Sequence, residues 1–229
     1  MNLPSEISFV SLLQYSPGGT DALARQSQGI RNSIKKDSFI KVRRPSGVIE
    51  SVRTVQYCAA TIRRLIESGQ FPFLMQTFGE DVILVPMPRS APLVKSSLWV
   101  PMSVCKAMKA EGLCREIMPI LERVKAVQKS AYAKKGERPD PPTHYESVLA
   151  KGIGELPIFG TRRVVLVDDF VTRGSTFVGV HPHIAATFPG IAIQCFALVR
   201  TRSFSDIDQI PAPVKGKITY RNGKLWREP

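Results

Sequence analysis

Val164-Val165-Leu166-Val167-Asp168-Asp169-Phe170-Val171-Thr172-Arg173-Gly174-Ser175-Thr176 decides how the chain folds. Four apolar residues predict a strand buried on both faces, two acids end it, and a turn of small residues opens a helix that runs to about Phe188. The run IAIQCFALV, residues 191–199, then reads as a second buried strand, and strand, helix, strand is the unit of a parallel sheet. Upstream, the run DVILVP, residues 81–86, is a further apolar segment closed by proline. The pattern predicts an α/β domain, doubly wound around a mostly parallel, Rossmann-type sheet.

Each part of the stretch has a physical use. In an open parallel sheet, ligands bind beyond the carboxyl ends of the strands, where a helix N-terminus offers unpaired N–H groups and a positive dipole end to an anion. Gly174 lets a backbone come close, while Thr172, Ser175 and Thr176 add hydroxyl donors without bulk. Adjacent carboxylates at Asp168 and Asp169 are costly unless they bind something: sugar hydroxyls donate to them, and a divalent cation held with a diphosphate offsets their repulsion.

Outward from this unit, Thr20 reads as the N-cap of a basic helix from Asp21 to about Lys36, after the turn Pro17-Gly18-Gly19. Lys35 to Arg44 is charge-dense, and apolar residues recur at helical spacing from Val52 to Ile66, ending at Gly69. Leu98 to Glu111 has helical composition with Gly112 as its stop, and Ile117 to Leu121 is a weaker strand broken by Pro119. Lys125 to Thr143 mixes basic residues, glycine and prolines and predicts a long loop. The tail KGKITYRNGKLW, residues 215–226, reads as a hairpin around Asn222-Gly223 that covers a sheet edge or forms part of a hood. Residues 1–80 are thus expected to be a helical elaboration, 81–201 the core, and 202–229 a tail with a small β element.

The 229 residues, 43% apolar and 22% charged, suffice for one buried core and argue against disorder, collagen-like repeats and coiled coils. Lys and Arg number 32 against 19 acids, a net charge of +13, so nucleotides, phosphosugars and nucleic acid are all suitable partners. Cys58, Cys105, Cys114 and Cys195 stand singly, which argues against a zinc site or disulfide framework and suits a reducing cytoplasm. The first residues carry neither a basic secretory leader nor an apolar run long enough for a membrane span.

The stretch 164–176 resembles the signature of type I phosphoribosyltransferases: apolar strand, two acids, then a loop with threonine and glycine. Val82 to Ser90 resembles the strand and proline-rich turn of the ComF-like subgroup. The cysteine-rich zinc segment with which ComF-like chains often begin has no counterpart here, so the chain is at most a divergent relative. The resemblance covers about Asp81 to Thr201 and implies a glycosyltransferase of nucleotide metabolism. It would bind phosphoribosyl pyrophosphate and Mg2+, pass the 5-phosphoribosyl group to a nitrogen acceptor and release pyrophosphate.

Carried onto this sequence, the resemblance gives Asp168 and Asp169 the ribose hydroxyls, and Thr172, Arg173, Gly174, Ser175 and Thr176 the 5-phosphate. Arg173 stands where many members have threonine, and its guanidinium points to solvent or assists a phosphate. Pro88, Arg89 and Ser90 form the pyrophosphate loop, with Arg89 joining the two aspartates as catalytic residues. Met87-Pro88 is open to either peptide isomer. Lys129, Ser130, Lys134, Lys135 and Arg138, with Arg123 and Lys125 nearby, belong to a flexible flap or else to a solvated loop. Mg2+ is held through pyrophosphate and ribose oxygens, with no protein ligand assigned. His144 reads as structural rather than catalytic. The acceptor is not specified, and assembly as a homo-oligomer or within a larger complex is left open.

A rival class is a nucleic-acid-binding or regulatory protein that keeps the pocket as a phosphosugar sensor, since the charge suits backbone contacts. No helix-turn-helix, zinc finger or RNA-binding aromatic motif accompanies it. A receiver domain also places acids at strand ends but does not need the Gly-Ser-Thr turn.

Overall fold

The structure, a computed structural model, describes residues 2–94, 96–128, 138–151, 160–202 and 207–229. Along the chain run β1 (Glu6–Tyr15), α1 (Ala22–Lys35), β2 (Phe39–Arg43), β3 (Ile49–Arg53), α2 (Thr54–Glu67), α3 (Pro72–Thr77), β4 (Gly79–Pro86), α4 (Val100–Ala110), β5 (Cys114–Ile117), β6 (Leu121–Arg123), α5 (Pro141–Glu146), β7 (Val148–Ala150), β8 (Arg163–Val171), α6 (Ser175–Thr187), β9 (Ala192–Thr201), β10 (Val214–Arg221) and β11 (Lys224–Glu228). The fold is α/β, around a seven-stranded sheet ordered β11-β10-β1-β9-β8-β4-β5. β1, β9, β8, β4 and β5 are parallel; β10 and β11 add an antiparallel edge.

The continuous apolar runs sit where helices cover both faces of the sheet. Alternation along β8 sends Val165 and Val167 into one layer with Ile34 of α1, Ile62 of α2 and Met108 of α4. Val164 and Leu166 go into the other, with Phe177, Val178 and Ile184 of α6. The chain leaves β4 through α4 to reach β5, and leaves β8 through α6, on the opposite face, to reach β9. Strand order therefore reverses between β4 and β8, and the crevice beyond their carboxyl ends is the place such a sheet offers a ligand.

The N-terminal region departs from a purely helical elaboration. β1 lies inside the sheet between β9 and β10, and six of its ten residues from Phe9 onward are buried in succession. Ser8 and Ser11 disguise it as a mixed segment; Ser11 is fully buried, with its Oγ accepting from Arg200 Nη1 at 3.5 Å. Residues 39–53 form the β2–β3 hairpin, so α2 starts at Thr54 rather than Val52. Asp21, not Thr20, caps α1, its carboxylate accepting from Ala24 N at 2.8 Å. The weak strand at Ile117 to Leu121 resolves into β5 and β6, separated at Pro119; β6 pairs with β7. The tail hairpin forms as read, with Asn222 and Gly223 at φ 50° and 72° in its turn. Met87-Pro88 is trans; the cis bond among the described residues is Ile210-Pro211. All four cysteines are buried and free. Among the described residues no helix is long and apolar enough to cross a membrane.

Candidate functional site

The turn after β8 opens onto a cavity of about 490 Å³. Gly174 caps α6 in the left-handed region at φ 87° with no side-chain hydrogen bond at the cap, so the first-turn N–H groups have no intrahelical partner. Asp168, Thr172, Arg173, Gly174, Ser175 and Thr176 all line the cavity, and Arg138 joins them from the far end of the long loop. These sequence-selected residues do come together.

The two acids face different partners. Asp168 lines the cavity, whereas Asp169 does not; its Oδ2 lies 2.6 Å from Lys35 Nζ of α1. Asp169 N donates to Asp168 Oδ1 at 2.8 Å. Burial, then the neighbouring Asp169 carboxylate, pushes the Asp168 carboxyl well above the usual carboxylate range, and Lys35 offsets part of the rise. Two hydroxyls of the turn are committed to the chain itself: Ser175 Oγ donates to Pro139 O at 2.8 Å, and Thr172 Oγ1 is 3.2 Å from Thr201 Oγ1. An anion at this turn would meet chiefly backbone N–H groups and the Thr176 hydroxyl.

Pro88 and Arg89 line a smaller cavity of about 90 Å³, with Trp99 and Arg123. Met87 N donates to Val167 O at 2.8 Å, so this loop leaves the sheet directly beside Asp168. Ser90 O accepts from Val127 N at 2.8 Å. Lys129, Ser130, Lys134 and Lys135 lie outside the described residues.

Arg123 belongs to no solvated loop. It is 3% exposed, its Nε donates to Arg89 O at 2.9 Å, its Nη1 donates to Ser147 Oγ, and its Nη2 stands 3.5 Å from His144 Nδ1. Burial lowers its pKa to about 10, against the pull of Asp168 in the opposite direction. His144 is buried too, and burial followed by the Arg123 cation lowers it to about 4. The imidazole is therefore neutral. With Nδ1 facing a donor, the proton is assigned to Nε2, which has no hydrogen-bond partner among the described residues. Sequence reading grouped Arg123 with the flap cations because nothing local separates a buried arginine from an exposed one; its place beside β7 shows only in three dimensions.

The donor set bears on Mg2+. Two carboxylates, Asp140 and Asp168, line the cavity, and Asp140 is occupied in capping α5 through Thr143 N at 2.9 Å. Among the described residues no three of His, Cys, Asp and Glu gather to hold a metal. A Mg2+ here would have to rely mainly on water and phosphate oxygens, Asp168 being the lining carboxylate that caps no helix.

No protein-family model matches this chain, and no curated protein matches it.

Proposed function

We propose that the chain is a type I phosphoribosyltransferase-like enzyme that binds phosphoribosyl pyrophosphate and transfers its 5-phosphoribosyl group to a nitrogen acceptor. One observation carries the reading. The glycine-capped N-terminus of α6 and the Asp168 carboxyl group line the same cavity, at the point where the strand order reverses. The first-turn N–H groups hold the 5-phosphate, Asp168 accepts from a ribose hydroxyl, and Arg138 and Arg173 balance anionic charge. The Arg89 loop leaves the sheet beside Asp168 through Met87 and is tied to Arg123, and although Arg89 itself lines the smaller neighbouring cavity, in this reading the loop supplies cations to the leaving pyrophosphate. Bound Mg2+ would neutralise the leaving diphosphate.

Calorimetry with phosphoribosyl pyrophosphate and Mg2+ tests this. The expected result is saturable binding by the native chain and a loss of at least about tenfold in an Asp168→Asn, Asp169→Asn variant. Undiminished affinity in that variant, with circular dichroism showing an intact fold, would refute the assignment. Pyrophosphate release from labelled substrate across a panel of nitrogen heterocycles then identifies the acceptor.

The β2–β3 hairpin supports a second reading, a nucleic-acid-binding surface. Its register places Phe39 with Arg53, Lys41 with Ser51 and Arg43 with Ile49 on one face, and all six are exposed. A two-stranded ribbon fits a DNA major groove, and its cations suit phosphates. A gel shift with DNA and RNA that weakens with salt, and weakens further in Lys41→Gln, Arg43→Gln, is the outcome this reading requires.

A further inference from the structure

The β2–β3 hairpin is a sheet of two strands, so β2 keeps one edge unpaired. Which backbone groups lie on that edge follows from the register. Thr54 N donates to Ser38 O at 3.0 Å and Arg44 N donates to Val48 O at 2.8 Å, which makes 38 with 54 and 44 with 48 hydrogen-bonded pairs at the two ends of the ladder. Such pairs recur at every second residue of an antiparallel ladder, so Ile40 and Val42 direct their N–H and C=O groups to β3. Lys41 and Arg43 direct theirs the other way. Among the described residues no hydrogen bond reaches those groups.

Beside this edge is a cavity of about 600 Å³, larger than the one at α6. Four consecutive residues, Ile40 to Arg43, line it and no residue of β3 does, so it runs along the free edge of β2 rather than beneath the ribbon. Two matching helical stripes wall it: Gly29, Ile30 and Ser33 of α1, and Tyr57, Cys58 and Thr61 of α2, each spaced i, i+1, i+4 on one helix face. The small residues Gly29, Ser33 and Cys58 leave the space between the helices unfilled. An open strand edge beside an apolar recess suits an extended segment that adds as a further strand, because the edge supplies backbone hydrogen bonds and the recess takes alternate side chains.

Charge selects the occupant. The Lys41 and Arg43 side chains lie on the exposed face of the hairpin, away from half-buried Ile40 and Val42. The nearby acids are engaged elsewhere, Glu50 with Arg44 and Asp37 with Arg53. A second copy of β2 added antiparallel would set these cations against their own kind, and like charges across a ladder are destabilising. A strand with acids on that face and apolar residues on the other is matched on both.

We propose that β2 docks a partner protein through an extended segment of alternating apolar and acidic residues, added antiparallel to the hairpin. Its acids lie beside the Lys41 and Arg43 side chains, and its apolar residues turn to the cavity between α1 and α2. In an antiparallel ladder the residue opposite Lys41 exchanges both backbone bonds with it and shares its face, so the acidic residues carry the backbone contacts. The proposal is independent of the phosphoribosyl reading.

Fluorescence anisotropy of labelled peptides with the full chain provides the test. The probes are GSVEVEVSG, its lysine counterpart GSVKVKVSG, and two N-methylated forms of the acidic peptide, one at both glutamate nitrogens and the other at the two outer valine nitrogens. The acidic peptide should bind about tenfold more tightly than the lysine peptide, keep its affinity with methylated valines and lose it with methylated glutamates. Lys41→Glu, Arg43→Glu should reverse the charge preference. A Cβ at Gly29 meets no atom within 4 Å, so Gly29→Leu narrows the cavity without a clash, and it should weaken the acidic peptide by about tenfold with circular dichroism unchanged.

No binding of the acidic peptide, a preference that survives charge reversal, affinity retained with methylated glutamates, or affinity unchanged in Gly29→Leu overturns the proposal. So does a DNA duplex that binds through Lys41 and Arg43 while the acidic peptide is ignored, which returns the hairpin to the nucleic-acid reading.

Discussion

Lys35 Nζ lies 2.6 Å from Asp169 Oδ2 and 4.4 Å from the centroid of the Phe170 ring, across 134 residues of sequence. The last turn of α1 is thereby pinned to the carboxyl end of β8, and the acid pair is split between α1 and the cavity. The Lys35 side chain is 42% exposed, so Lys35→Met should cost little stability, roughly 0.5–1 kcal/mol by urea denaturation. Its effect on ligand binding should be larger. Lys35 also opposes the rise in the Asp168 pKa, and without it the cavity carboxyl ionises less readily. Calorimetry should show phosphoribosyl pyrophosphate affinity falling by more than the stability change; an unaltered affinity would reduce the ion pair to a strut.

In the proposed function, Asp168 sets ligand binding against stability. Its folded pKa is raised by burial and by Asp169, so the native state keeps a proton that the unfolded chain releases. This favours the fold fully below the ordinary carboxylate range and is lost as pH rises toward the raised folded value. At neutral pH the site is thus a net cost that Asp168→Asn removes. Thermal unfolding of the free protein should show the variant stabilised at pH 7, with the gain gone near pH 3.5. Destabilisation at pH 7 would mean that the carboxylate is better solvated than its surroundings indicate.

How much of this was legible follows from which forces are local. β8, α6 and β9 could be read because a both-faces-buried strand is an unbroken apolar run and Gly174 marks the turn. β1 could not: Ser8, Ser11 and Gln14 break its run, and their place in the sheet is settled by partners far along the chain. Gln14 Nε2, for instance, donates to Asp208 Oδ1 at 2.9 Å. The Gly174 turn between β8 and α6 was legible as a motif. That Asp168 lines the cavity while Asp169 pairs with Lys35 was not, because it depends on Lys35 arriving from α1. Arg123 and Trp226 were visible as residue types, but one proved buried beneath the Arg89 loop and the other lines the cavity.

His144 predicts an acid limit. Its pKa falls from an ordinary 6.5 to about 4 through burial and the Arg123 cation, so the unfolded chain takes up a proton that the native state refuses. The stability this represents is present above pH 6.5 and is lost as pH falls toward 4, amounting in full to on the order of 3 kcal/mol. His144→Gln keeps a polar group near Arg123 without the titration. Urea midpoints at pH 7 and pH 4.5 should converge far more closely in the variant than in the native chain; an equal pH drop in both would assign the acid sensitivity elsewhere.

Gly174 and Ile218 should behave as one packing unit. At φ 87° a side chain is strained by about 1 kcal/mol. A Cβ at Gly174 would also lie 2.3, 2.8 and 3.1 Å from Cδ1, Cγ1 and Cγ2 of Ile218, which has no exposed surface and cannot swing into solvent. Overpacking of this kind adds about 1–3 kcal/mol, so Gly174→Ala should destabilise by about 2–4 kcal/mol. Ile218→Val removes the nearest atom at a cost of about 0.5–1.5 kcal/mol by itself. Because the two changes meet at one contact, the double variant should recover about 1 kcal/mol relative to the sum of the singles in a denaturant-based cycle. Strict additivity would show that α6 absorbs the new methyl by shifting, and phosphoribosyl pyrophosphate affinity should then collapse in Gly174→Ala whatever occupies position 218.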